Sequence, residues 1–368
     1  MNAKKRYVKN SIGMFDLLKG MAMVLIVFAH TLGLFALDVS SDRFSFSIVL
    51  AGALELGKSF LMPVFFVMSG FGFRKSETKK VVSAYLKELI VPYLTAVALT
   101  VILNTVIHYS FFKYLPGALG ESLKLLGGSL LGTSVNVSLF NTTLFACGPI
   151  WFLLALFWAG IVFNIVLNVS SEKMLPAAVF AVSLAGWGLS YLKIAPWCIS
   201  QGLLGVLFLY IGYVIKRKKV INEPMNVRMA VLSVLVIVIP NVLLTVFRKS
   251  MNMADNLYPL GPVSYIFGGL FGILVLYVVV RLNRFGNPLF KGLKKIGYIS
   301  LYFLCFHSVE MMAFPWYLVA ERFADKIALG IAVIFVTRLA VVLICCFLLE
   351  IIIKGIRKAK VRRMVQNG

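Results

Sequence analysis

The stretch IGMFDLLKGMAMVLIVFAHTLGLFAL, Ile12 to Leu37, is apolar over most of its length yet carries an aspartate, a lysine and a histidine. A helix rises 1.5 Å per residue, so about 20 apolar residues cover a hydrocarbon core about 30 Å thick. The apolar residues here are consecutive rather than alternating. That excludes a barrel strand with its period of two and leaves a helix that satisfies its own backbone. Nine more runs follow, at about Phe44 to Phe73, Ser83 to Ser110, Pro149 to Val169, Met174 to Leu192, Trp197 to Ile215, Val227 to Phe247, Gly261 to Val280, Ile296 to Val319 and Ile327 to Ile353. The pattern predicts an all-α polytopic membrane bundle of about ten transmembrane helices. The first run is expected to stay as helix one rather than leave as a signal peptide, because it is long, holds Asp16 and Lys19 and has no small-residue cleavage site.

Composition agrees. The 368 residues are 60% hydrophobic and 14% charged, against an apolar share of about half in soluble domains. The chain is read as a single membrane domain over residues 1–368, ending in a basic tail at about 354–368. The connection from about Phe111 to Gly148 is the longest, rich in Gly, Ser and Asn, with a surface helix expected near Ser122 to Leu131. The cysteines, Cys147, Cys198, Cys305, Cys345 and Cys346, fall mostly inside apolar runs without a CxxC pair, so they read as small hydrophobes.

The formal net charge of +23 raises the question of an anionic partner, and its placement answers it. Lys4, Lys5, Arg6 and Lys9, then Arg74, Lys75, Lys79 and Lys80, then Lys216 to Lys219, then Arg281, Arg284, Lys291, Lys294 and Lys295, and finally the tail, all lie between alternate runs. One side holds about three times as many Lys and Arg as the other, the positive-inside signature. Both termini are therefore expected in the cytoplasm. The charge reads as topology and attraction to anionic membrane lipid, with no nucleic-acid partner.

A charge at mid-bilayer costs at least about 2.5 kcal/mol, so each one needs a partner, a wet cavity or a function. Lys19 and His30 are eleven residues apart, which returns to within roughly 20° of the same helix face and separates them by roughly 16 Å along the axis. Asp16 lies near that face. His307 is expected at a depth similar to His30, with Glu310 one turn later on its face. Glu55, Lys58 and Arg338 add to a polar interior, while His108 reads as an interfacial residue near a helix end.

Five stretches, in order, resemble the acyltransferase-3 family of integral membrane O-acyltransferases. FDLLKGMAMVLIVFAH, Phe15 to His30, is similar to its opening helix: a basic residue, ten others, then histidine. Lys in place of the commoner Arg resembles the sugar O-acetylase branch. MPVFFVMSGFGFRK (Met62 to Lys75), LKELIVPYL (Leu86 to Leu94), GPIWFLLALF (Gly148 to Phe157) and ISLYFLCFHSVE (Ile299 to Glu310) resemble its later signatures. The chain departs from the branch at Phe60, Leu61, Met62 and Pro63, where relatives often carry Phe-His-Met-Pro, and no appended esterase-like domain is expected after the last helix.

The resemblance implies transfer of an acetyl-type group from cytosolic acyl-CoA, with acetyl-CoA as the donor, to a hydroxyl of a cell-surface glycan or lipid-linked sugar at a bacterial cell membrane. Lys19 and Arg74 would meet the donor's phosphates. His30 would act as general base, with His307 and Glu310 assisting and no metal required. Trp151 and Tyr302 are candidates for lining the acceptor path. A secondary transporter or glycan flippase would also carry buried ionisable residues and broken helices. Transporters often show related halves, and no internal repeat is visible here.

Overall fold

A computed structural model describes residues 13–35, 46–139, 141–192, 195–283 and 287–366. With no water to satisfy backbone groups, the long apolar runs close their hydrogen bonds internally as helices. These are α1 (Asp16–Leu32), α2 (Phe46–Gly72), α3 (Thr78–Phe112), α4 (Leu115–Leu131), α5 (Trp151–Val169), α6 (Leu175–Leu189), α7 (Ile199–Arg217), α8 (Val227–Val246), α9 (Pro262–Leu282), α10 (Pro288–Tyr298), α11 (Ser300–Ala313), α12 (Trp316–Glu321) and α13 (Ile327–Gln366). The strands among the described residues form one small antiparallel hairpin, β1 (Val137–Leu139) with β2 (Thr142–Leu144), in the connection between α4 and α5.

Among the described residues, eight helices are long and apolar enough to cross a membrane, or nine if the bent pair α10 and α11 is one span. The chain is a multi-pass integral membrane protein. Two of the ten expected runs differ from straight spans. The run Met174 to Leu192 yields only the 15 residues of α6. The run Ile296 to Val319 is broken twice. α10 meets α11 at an angle of 78°, and the chain leaves helical geometry again at Phe314 and Pro315, where the proline ring cannot continue the ladder. α10 also begins earlier than expected, because PLFKGLKKIGY places Phe290, Leu293 and Ile296 against the bundle and Lys291 and Lys295 in the open.

The expected surface helix near Ser122 is longer, at 17 residues, and packs against α3. Ser122 accepts a hydrogen bond from Thr105 at 2.7 Å and donates to Asn104 at 2.8 Å, and the Tyr93 hydroxyl donates to the Ser129 carbonyl at 2.6 Å. Within α3 and α8, one-turn π-helical stretches at Leu86–Ile90 and Val234–Val238 precede Pro92 and Pro240, whose missing N–H disrupts the regular ladder.

Without a hydrophobic drive between helices in lipid, close backbone contact through small residues holds a bundle together. α2 and α7 meet in this way: a Cβ on Gly70 would overlap the Leu209 backbone, and one on Gly212 would overlap the backbone of Val67. α1 and α10 repeat the device, with Gly20 against Leu293 and Gly297 against Asp16.

Gly212→Val is therefore expected to destabilise the detergent-solubilised protein by about 1–3 kcal/mol, whereas Gly72→Ala, where an added Cβ meets nothing within 4 Å, leaves the melting temperature near wild type. Equal melting temperatures for the two variants would rule out the α2–α7 contact.

Candidate active site

His30 stands in the last turn of α1. The helix stops at Leu32 and tightens into a short 3₁₀ turn through Phe35, so His30 lies about 9 Å beyond the helix midpoint. Its side chain is exposed on the helix. Its ring faces His307, with ring centroids 5.4 Å apart and planes inclined at 44°. His307 is fully buried on α11. The break before Ser300 places it seven residues, about 10 Å, into its own helix. The two imidazoles come together because α1 packs against both halves of the bent pair.

Behind His307 is a buried polar cluster drawn from four helices. Glu310, one turn on, lies with Oε1 at 2.8 Å from His307 Nδ1. Arg338, from α13 and with no exposed surface, donates through Nε to Oε1 at 3.1 Å and to Oε2 at 3.2 Å. Trp316, at the start of α12, donates its indole N–H to Oε2 at 2.6 Å and to the Glu310 carbonyl at 3.1 Å. The Arg338 guanidinium also lies 5.6 Å from the Trp316 ring centroid, a cation–π distance. Its Nη1 donates to the Thr31 hydroxyl at 3.4 Å, and that hydroxyl donates to the Val27 carbonyl at 2.8 Å. Two nitrogens of the cluster, His307 Nε2 and Arg338 Nη2, have no hydrogen-bond partner among the described residues.

An isolated charge in such surroundings is strongly disfavoured, and a pair survives only with good geometry and additional hydrogen bonds. Glu310 meets that requirement, since every group around its carboxylate is an N–H donor or an imidazole. Lys58, which bonds Glu55 at 2.5 Å on α2, contributes its field to His30. Asp255, in the 248–261 loop, lies within electrostatic reach of both Lys58 and Glu55. Among the described residues, no group of three or more His, Cys, Asp and Glu is disposed to hold a metal ion.

Lys19 lies at the other end of α1. It pairs with Asp16 at 2.6 Å and keeps a side chain 29% exposed. The Phe15 ring meets the Phe71 ring edge-on at 5.0 Å, and Lys216 Nζ sits 5.8 Å from the Phe71 ring centroid. α1, α2 and α7 thus converge at this basic end. Arg74 is exposed just past α2, beside a cleft lined by Lys75, Ser76, Glu77, Thr78, Lys79 and Asn168. The turn that carries it is fixed by buried Asn164, which accepts from the Ser76 N–H at 3.1 Å and donates to the Ser76 carbonyl at 3.0 Å. No described contact joins Lys19 directly to Arg74.

His108 sits apart, against Phe112 with ring centroids 5.7 Å apart. Trp151 is buried and Tyr302 exposed, and neither touches the histidine pair through a described contact. Sequence reasoning left Trp316 and Thr31 out of the site. The signal for Trp316 was its place directly after Pro315, where a broken helix re-aims an indole. Thr31 gave no signal beyond standing next to His30.

A family model described as an acyltransferase domain matches residues 12–351. No curated protein matches, and no solved structure matches.

Arg338→Met leaves the Glu310 carboxylate buried without its cation, so stability is expected to fall by about 3–5 kcal/mol. The double variant Glu310→Gln/Arg338→Met, which removes both charges, is expected to regain part of that loss. Thermal unfolding in detergent checks both, and a wild-type melting temperature for Arg338→Met alone would contradict the buried pair.

Proposed function

Because the chain belongs to the acyltransferase-3 family and is a membrane acyltransferase, we infer that it moves an acetyl-type group from acyl-CoA to a hydroxyl of a cell-surface glycan or its lipid-linked precursor. The observation that carries this reading is the pairing of an exposed imidazole, His30, with a buried one, His307, held from behind by Glu310. A neutral imidazole at that position is suited to take a proton from a hydroxyl and return it to a leaving group.

In this mechanism His30 removes the acceptor's hydroxyl proton as the oxygen attacks the thioester carbonyl. A C–O bond forms, the C–S bond breaks, and the proton passes from His30 to the departing thiolate. Glu310 sets the position of His307, the ring that His30 faces, and compensates the positive charge that develops. The donor enters at the basic end of α1, taken as cytoplasmic. There Lys19 and Arg74 meet its phosphates, and Lys216 adds to the local positive field. The roughly 16 Å from Lys19 to His30 along α1 is a span for an extended thiol arm, which brings the thioester to the histidines while the nucleotide stays at the mouth. The acceptor approaches from the other side, past the Glu55, Lys58 and Asp255 group. A bacterial cell membrane is the setting this chemistry suits.

Transfer from radiolabelled acetyl-CoA by the purified protein tests the reading. His30→Ala is expected to lower kcat by about 10²–10⁴-fold while donor binding persists, and Lys19→Ala to raise the donor KM with a smaller effect on kcat. Transfer by His30→Ala at the wild-type rate would remove the base assignment. Solute uptake into proteoliposomes without acyl transfer would replace the enzyme with a transporter.

A further inference from the structure

One fully buried charged side chain takes no direct part in the proposed transfer. Arg338 is the largest fully buried side chain among the described residues, and it does not reach the exposed face of His30 through any described contact. Its Nε, together with the Trp316 indole N–H, is directed at Glu310. Three donor contacts from two side chains on two further helices fix both carboxylate oxygens of a residue whose remaining neighbour is His307 Nδ1.

That arrangement determines a proton position. A carboxylate paired with a guanidinium is acceptor-only, so the 2.8 Å contact at Oε1 requires Nδ1 of His307 to be the donor. Nε2 is then left as a lone pair. This nitrogen has no hydrogen-bond partner among the described residues, and it belongs to the residue whose ring faces His30. Were Glu310 free to rotate, nothing would hold the proton on Nδ1 and His307 would sample both tautomers.

We propose that Trp316 and Arg338 are positioning residues: they clamp Glu310 so that His307 is held in its Nδ1–H tautomer and presents Nε2 as the second proton acceptor of the site. This rests on the O-acyltransferase reading. The proton that His30 takes from the acceptor hydroxyl is shared with Nε2 of His307 while the C–O bond forms and the C–S bond breaks. It returns through His30 to the leaving thiolate, so both rings end neutral. Glu310 balances the transient imidazolium, and Arg338 holds Glu310 in register rather than touching substrate.

The test uses the full-length protein labelled with [¹⁵N]histidine, in detergent and without acyl-CoA. Of the three histidines, His30 and His108 are identified by the signals lost in His30→Gln and His108→Gln. Wild-type His307 is expected to show a protonated Nδ1 and an unprotonated Nε2 at neutral pH. Trp316→Phe keeps a ring against Phe314, whose centroid is 4.6 Å away, but removes the indole donor. It is expected to give mixed His307 tautomers and a kcat lower by about 10- to 100-fold at unchanged donor KM. Arg338→Lys, which keeps the charge but loses the fork, gives the same two readouts should Trp316→Phe not fold. An Nε2-protonated His307 in the wild type overturns the clamp, as does a folded variant with wild-type tautomer and kcat. If the tautomers respond as expected but the wild type transfers no acyl group from acetyl-CoA, the clamp stands and the O-acyltransferase reading falls.

Discussion

A carboxylate and a guanidinium buried together in a membrane bundle are tolerated only if each satisfies the other and the remaining donors and acceptors are met nearby. Glu310 and Arg338 do this across α11 and α13, with Trp316 closing the second carboxylate oxygen and Thr31 taking one further guanidinium N–H. Four helices are thereby tied to one point. Because the cost of separating the pair is large, the relative placement of α1, α11, α12 and α13 is fixed there. The histidine pair inherits that rigidity. His307 is oriented by Glu310, and His30 is carried by the same helix as Thr31.

The rest of the bundle supplies the opposite kind of contact. Gly20 and Gly297 let α1 and α10 touch along their backbones, and Gly70 and Gly212 do the same for α2 and α7. These contacts carry no charge and depend on shape alone. They set the basic end of α1 beside α2 and α7, where Phe15, Phe71 and Lys216 meet. One helix therefore connects two unlike regions: a solvated, positively charged entrance and a buried, charge-balanced centre. The 78° bend between α10 and α11 allows this, since a straight helix could not both pack along α1 at its start and face His30 at its end.

Much of the site was legible in the residues. Lys19 and His30 are on one helix at a spacing that fixes their separation whatever packs around them. Glu310 lies one turn from His307, so their contact follows from helix geometry. Arg338 stood out as a charge in an apolar run, since such residues need partners. The identity of that partner was not legible: Arg338 and Glu310 are 28 positions apart, and nothing in the spacing of either run selects one over Glu55 or Asp16. Trp316 was missed because an indole in a membrane helix reads as packing until the break at Phe314 and Pro315 turns it back on Glu310.

Hydrophobic runs, their lengths and the distribution of lysine and arginine determined by themselves that this chain is a helical membrane protein with buried ionisable residues. Those properties depend on local composition and on a bilayer thickness that is the same for every helix. Tertiary structure alone decided that the run beginning at Ile296 is bent, that the Met174 to Leu192 run is short, and that two histidines 277 positions apart face each other at 5.4 Å. Pairings of that kind arise from interhelical packing, in which small-residue contacts and one buried ion pair select among arrangements that the periodicity of any single helix leaves equal.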